Sequence, residues 1–141
     1  MPEELEIIEE HTDEDCQELS KKIVSFNERN IPNLNFQRIC LLIKNAEGEI
    51  KAGLIAVAYW DCVFLDILWV SDELRHLGYG SKLMKRFEEI VKNHNFNLIH
   101  LDTFDFQAQK FYKKLGYQVF GVLEDCPKGH KRYYMKKTIY K

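Results

Sequence analysis

The stretch "LRHLGYGSKLMKRFEEIV", residues 74–91, decides how the whole chain is read. From Ser81 onward, Leu83, Met84, Phe87, Ile90 and Val91 fall at i, i+1, i+4, i+7 and i+8 of an amphipathic helix, with Lys82, Lys85, Arg86, Glu88 and Glu89 facing water. The segment before it, "VFLDILWV" (63–70), reads as a strand. Strand, short turn and helix follow one another, and two glycines, Gly78 and Gly80, stand where the helix begins.

A helix start leaves several backbone N–H groups without intrahelical partners, so it attracts anions. Gly78 and Gly80 can take positive φ and lack a Cβ, which lets a diphosphate come close to the backbone, and Arg75 adds a charge-assisted donor. Taken alone, the turn fits equally well as a plain strand-to-helix connection. Two phosphate motifs are excluded: a dinucleotide fingerprint wants a third glycine where Leu83 stands, and a P-loop wants Gly-Lys-Ser/Thr where this chain has Gly80-Ser81-Lys82.

Working outward, "LEII" (5–8) suggests a short strand, and Thr12 with Asp15 three residues on forms a capping-box signal. Cys16, Leu19, Ile23 and Phe26 recur at helical spacing until Asn30 and Pro32 close the helix. Residues 36–73 read as three strands broken at Asn45 to Glu49 and around Asp61. After the central helix come a strand "FNLIHLDTF", a short helix "FQAQKFYKKLGY" capped by Gly116, and a hairpin across Pro127 to Gly129. The 141 residues contain no repeat or linker-like run, so one α+β domain spanning 1–141 is expected.

Acidic residues number 22 and basic residues 20, a net charge of −2, with no run of five or six like charges, so no nucleic-acid or membrane arm is expected. The four cysteines form no CxxC pair and have no histidine at zinc-ligand spacing, which argues for a reduced, cytoplasmic compartment and no metal. No apolar run approaches the ~18 residues of a membrane span, and the start "MPEELEIIEE" does not read as a signal peptide.

Arg75, Gly78 and Gly80, with the preceding strand and the later "DFQAQKFYKKLGY", fill a pattern that resembles the pyrophosphate motif Q/R-x-x-G-x-G/A of the GCN5-related N-acetyltransferases. The likeness runs from about Leu5 to Lys137, because the order of elements is also that family's order. It implies a central, mostly antiparallel mixed sheet of about seven strands flanked by three to four helices, with splayed fourth and fifth strands. It also implies acetyl-coenzyme A as cosubstrate. The N–H groups of His76, Leu77, Gly78, Tyr79, Gly80 and Ser81 would hold its pyrophosphate, and the backbone of Leu68, Trp69 and Val70 its pantetheine arm. The resemblance allows a homodimer through the terminal strands, which no sequence feature specifies.

Moving an acetyl group from a thioester to an amine needs a free amine, a polarised carbonyl and a proton for the departing thiolate. Tyr112 stands where the family usually places its general acid; by spacing alone it also suits a buried helix stripe. Asp66 shares alternation parity with Leu68 and Val70, so it should share their face and is the candidate base, against a plain strand-edge carboxylate. Cys40 and Cys62 lie in apolar strands, where a cysteine is usually inert. Asp105 occupies a position where the family often has asparagine, which puts that cofactor contact in question and offers Gln107 instead.

The acceptor, a small-molecule or peptide amine, would be recognised by "NERNIPNLNFQ" and "EDCPKGHKRYYMKK". The basic and aromatic residues of the second segment suit an anionic ligand or, more simply, a solvated strand face. The sequence thus points to an N-acetyltransferase acting by direct attack. A non-catalytic acyl-coenzyme A sensor of the same fold is the alternative.

Overall fold

The computed structural model describes residues 3–139, and the chain divides into two compact units at Leu34 and Asn35. The first unit holds one helix, α1 (Asp13–Asn30). Its capping box forms as expected: Thr12 Oγ1 accepts the Asp15 N–H at 3.1 Å, and Asp15 Oδ2 accepts the Thr12 N–H at 3.0 Å. None of its side chains is buried. The strand expected at 5–8 does not form; these residues have no regular structure, and Leu5, Ile7 and Ile8 are exposed. An apolar four-residue segment makes a strand only where another strand takes up its backbone groups, and none does so here.

The second unit runs β1 (Gln37–Lys44), β2 (Ile50–Tyr59), β3 (Cys62–Val70), a 3₁₀ turn (Asp72–Leu74), α2 (Tyr79–Asn93), β4 (Leu98–Phe104), α3 (Gln109–Lys114), β5 (Gln118–Glu124) and β6 (Lys131–Thr138). The sheet order is β1-β2-β3-β4-β6-β5. Its six strands, where about seven were expected, pair antiparallel except for β3 with β4, which α2 joins as a crossover. Among the described residues, no helix is long and apolar enough to cross a membrane.

The stripe read from the sequence packs α2 onto the sheet, with Leu83, Met84, Phe87 and Val91 buried and Ile90 partly so. They meet Ala52, Leu54, Ala56 and Ala58 of β2, Val63 and Leu65 of β3, and Ile99 and Leu101 of β4 in one core. Phe87 is fully buried in that core, which also takes three alanines of β2, Ala52, Ala56 and Ala58. Burial of a side chain of that kind is worth about 1.5–3 kcal/mol.

Two irregularities of β3 prepare the site. Its ladder with β4 runs only from Cys62↔Leu98 to Leu65↔Leu101. Beyond that, residues 66–70 and 102–104 part, which is the expected splay. On the other edge the register with β2 jumps from Ala56↔Leu65 to Ile55↔Ile67, leaving Asp66 as the extra residue of a β-bulge.

Candidate active site

The turn before α2 is built on two left-handed residues, His76 at φ 64 and Gly78 at φ 88. Gly78 caps the helix, whose first bond is Lys82 N–H to Gly78 C=O at 3.0 Å. The N–H groups of Tyr79, Gly80 and Ser81 therefore have no partner within the helix and lie at the positive end of its dipole. A Cβ on Gly78 would meet nothing within 4 Å, whereas one on Gly80 would stand 3.3 Å from Phe111 Cζ and 3.9 Å from Val70 Cγ2. Gly78 thus faces open space. Gly80, read from sequence as a place for a diphosphate to approach, also lets Phe111 of α3 pack against the start of α2.

Arg75 turns back onto the strand end: its Nε donates to the Val70 C=O at 3.3 Å, and its Nη1 lies 3.4 Å from Asp72 Oδ1. Ser71 donates its N–H to Lys51 C=O at 2.9 Å, so by the antiparallel alternation Trp69 spends its backbone groups on β2. Leu68 and Val70 then aim theirs into the gap beside β4. Of the three strand residues expected to hold an extended ligand, two offer backbone groups there, and the Val70 carbonyl is already met by Arg75.

The bulge corrects the placement of Asp66. Leu65 and Leu68 oppose Ala56 and Leu54, both buried beneath α2, so Leu68 and Val70 keep to the core face, while Asp66 and Ile67 are exposed. Asp66 does not share the face of Leu68 and Val70, because the inserted residue breaks the alternation on which that inference rested. Among the described residues its carboxylate has no hydrogen-bond or ionic partner.

Tyr112 is buried, its ring edge-on to Phe111 at 5.2 Å and to Tyr117 at 5.8 Å. Burial, and then the charge of Asp102 on the free end of β4, push its phenol up to about 12. Its hydroxyl makes no hydrogen bond to another described residue. The six-residue helix that carries it is pinned at its far end: Tyr117 donates to Glu88 Oε2 at 2.9 Å, and Lys137 Nζ meets Glu88 Oε1 at 2.8 Å and the Leu115 carbonyl at 2.7 Å. Phe111 joins Tyr112 to Gly80 and Val70. The start of α2, the end of β3 and the tyrosine are therefore one neighbourhood.

Asp105 and Gln107 are both exposed, and both bond back to the chain around their own loop. Asp105 Oδ2 accepts the Lys131 N–H at 2.8 Å and its Oδ1 lies 2.9 Å from His130 Nδ1, while Gln107 Oε1 accepts the Phe104 N–H at 2.9 Å. Both acceptor sets are spent on holding the β4–α3 loop. Three of the hairpin cations are likewise paired: Arg132 Nη2 with Asp102 at 2.8 Å, Lys137 with Glu88, and Lys131 with Glu124 at 3.8 Å. Burial and the neighbouring Asp61 push the Cys62 thiol up, away from the thiolate that covalent catalysis needs. The sequence did not single out His130 or Asp102, since each meets its partner across 25 and 30 residues.

A model of the acetyltransferase (GNAT) family matches residues 5–117. The chain is 33% identical over 94 residues to blasticidin-S acetyltransferase of Streptomyces morookaense, covering 65% of this chain and 68% of that protein. The crystal structure of an acetyltransferase from Bacillus cereus is 37% identical and superposes with a TM-score of 0.84 over 94% of this chain and 97% of its own. An aminoglycoside 6'-N-acetyltransferase complexed with coenzyme A shares the fold at 23% identity, with a TM-score of 0.63 over 72% and 73% of the two chains.

Proposed function

The chain belongs to the GNAT family of N-acetyltransferases, and from that membership we propose that it moves the acetyl group of acetyl-coenzyme A to a primary amine on a small molecule, by direct attack and without a covalent enzyme intermediate. One observation carries the reading: β3 and β4 part after Leu65 and Leu101, the gap-facing backbone of Leu68 and Val70 and the free N–H groups of α2 lie at that end, and Tyr112 stands beside Phe111, which packs at Gly80 next to Val70. Unpaired donors at a helix start suit a diphosphate, and an open strand edge suits an amide-bearing arm laid down like an added strand. In this reading the turn from His76 to Ser81 takes the diphosphate. Trp69 supports the arm only by fixing β3 to β2, and Arg75 stiffens the turn by bridging Val70 to Asp72.

Tyr112 donates to the sulfur as the C–S bond breaks. With the phenol at about 12, well above the ~8.5 of a cysteine thiol, full transfer of its proton to the thiolate is uphill. The phenol therefore serves as a neutral O–H donor in a dry site and stabilises the charge as it develops. Asp66, exposed in the bulge, draws in the acceptor ammonium and is the carboxylate available to take its proton. Blasticidin S, the acceptor in the name of the relative from Streptomyces morookaense, is the first amine to test.

Thiol release from acetyl-coenzyme A, followed with blasticidin S and a panel of primary amines, tests the reading. Tyr112→Phe should lower kcat by about 100-fold and leave the coenzyme dissociation constant and melting temperature nearly unchanged, because its hydroxyl bonds to no described residue. Coenzyme binding without turnover of any amine, together with an indifferent Tyr112→Phe, would favour a non-catalytic sensor.

A further inference from the structure

The helix that carries Tyr112 has little of its own to hold it. α3 is six residues long, and Ala108 at its start supplies no side-chain cap. A helix so short is marginal unless tertiary contacts fix it. Two ties hold it against α2. Near its start Phe111 packs at Gly80. Just past its end Tyr117 donates its hydroxyl to Glu88 Oε2 at 2.9 Å. Glu88 stands eight residues after Gly80 on α2, about 12 Å along the axis, and Tyr112 lies in the chain between the two aromatic residues that make the ties. We propose that Glu88 is a positioning residue for the acid: one carboxylate oxygen takes the Tyr117 hydroxyl, the other takes the Lys137 ammonium, and the Tyr117 ring so held sets the direction of the Tyr112 hydroxyl toward the coenzyme sulfur. This rests on the reading of Tyr112 as proton donor. It adds that the donor is aimed from the same helix whose start takes the diphosphate.

Tyr117 grips Tyr112 at two places. Its N–H donates to the Tyr112 C=O at 3.1 Å, a bond that closes α3 around Gly116 at φ 98. Its ring stands edge-on to the Tyr112 ring at 5.8 Å, with 69° between the planes. Tyr117 is buried, and burial first, then the charge of Glu88, push its phenol far up, so it keeps its proton and keeps donating. Lys137 completes the arrangement: its Nζ meets Glu88 Oε1 at 2.8 Å and the Leu115 C=O at 2.7 Å, and lies 5.6 Å from the centre of the Tyr117 ring. A Cβ on Gly116 would stand 3.4 Å from Lys137 Cε, so the lysine stem runs along the helix end. α2, α3 and β6 thus meet on one carboxylate.

Stability is a poor reason for this cluster. The Lys137 and Glu88 side chains are 28% and 22% exposed. A half-buried ion pair loses in desolvation much of what it gains in attraction, so apolar residues of similar size would hold the three elements about as well. What they would not supply is direction. A satisfied set of polar contacts admits one placement of the Tyr117 ring, where apolar packing admits several. The Tyr112 hydroxyl makes no hydrogen bond to another described residue, so its aim comes from its ring and its backbone, and Tyr117 touches both. Proton donation to sulfur is sensitive to that aim, since an error of about 1 Å can cost about 100-fold in rate.

The test is a double-mutant cycle in the full chain, read by thiol release from acetyl-coenzyme A with blasticidin S and benzylamine as acceptors. Tyr117→Phe removes only the hydroxyl, and Glu88→Gln removes the charge and one acceptor oxygen. Each should lower kcat by about 10-fold, with KM for the coenzyme and its calorimetric affinity unchanged. Placed in Tyr112→Phe, which has already lost the proton donor, neither should lower kcat further. Factors that multiply in the double variants, or a wild-type kcat in Tyr117→Phe and Glu88→Gln, overturn the proposal while a slow Tyr112→Phe leaves Tyr112 as the acid. If Tyr112→Phe turns over as fast as the wild type, or the wild type releases no thiol with any amine, the acid reading falls and this inference with it.

Discussion

The turn before α2 and the turn before β6 each hold a left-handed glycine and leave the donors after it in opposite states. Gly78 lies at φ 88 and Gly129 at φ 83, and a Cβ on either would meet nothing within 4 Å. In the β6 turn the donors are consumed: Gly129 N–H goes to Asp125 Oδ1 at 3.1 Å and His130 N–H to Pro127 C=O at 2.9 Å. In the α2 turn the N–H groups of Tyr79, Gly80 and Ser81 precede the first helical bond, Lys82 to Gly78. A left-handed glycine therefore does not identify an anion site. What identifies one is whether the donors that follow it find partners inside the fold.

The sharpest way to break this contrast is at Gly78. Gly78→Val places a branched side chain in the open space over the donors, so coenzyme A binding by calorimetry should weaken by about 100-fold or more, the ~2.7 kcal/mol that losing charge-assisted bonds to a diphosphate implies. Positive φ costs an L residue about 1–2 kcal/mol, so the protein should remain folded with a lowered melting temperature. Gly78→Ala, less strained, should keep most of the loss. Unchanged affinity in folded variants would remove the diphosphate from this turn.

The two turns also differ in how far they could be read from sequence. α2 was legible because Leu83, Met84, Phe87, Ile90 and Val91 repeat with the helical period and a buried stripe has no other way to form. The capping box at Thr12 was legible because both of its residues lie within one helical turn. Asp66 was misplaced because a bulge belongs to the pairing of two strands: nothing in "VFLDILWV" shows that Ile55 will oppose Ile67 and Ala56 oppose Leu65. The segment 5–8 suggests a strand by its apolar residues and forms none, because a strand needs a partner that those four residues do not specify. The contact of Asp105 with His130 is not legible because it joins two turns that only the finished β4–β6 ladder brings together.

Gly80 refines the comparison within the α2 turn itself. Its missing Cβ serves packing, so Gly80→Ala should act through Phe111, whose Cζ would stand 3.3 Å from the new methyl. Alanine gains about 0.5–1 kcal/mol of helix preference, and the crowding opposes it, so net stability in urea should change by less than about 1 kcal/mol. The displaced Phe111 adjoins Tyr112, so kcat should fall several-fold while coenzyme affinity changes less than in Gly78→Ala. Phe111→Leu in the same chain should recover part of the rate. A Gly80→Ala variant with intact turnover and an affinity loss equal to that of Gly78→Ala would return Gly80 to the diphosphate.

The smallest effect is expected at Gly129, and it decides what the larger ones mean. Gly129→Ala imposes the same left-handed strain as Gly78→Ala, about 1–2 kcal/mol, with the same open space around the methyl. The N–H groups of Gly129 and of the two residues after it are not free to be covered, since Asp125, Pro127 and Asp105 already take them. Urea unfolding should therefore show similar destabilisation in the two variants, while calorimetry shows coenzyme affinity preserved in Gly129→Ala and reduced in Gly78→Ala. Equal losses of affinity would mean that strain anywhere in the sheet unit loosens the coenzyme, and the argument from unpaired N–H groups would fail. Unequal losses at equal stability exclude left-handed strain as the cause and favour the donors that the start of α2 leaves over after the fold is complete.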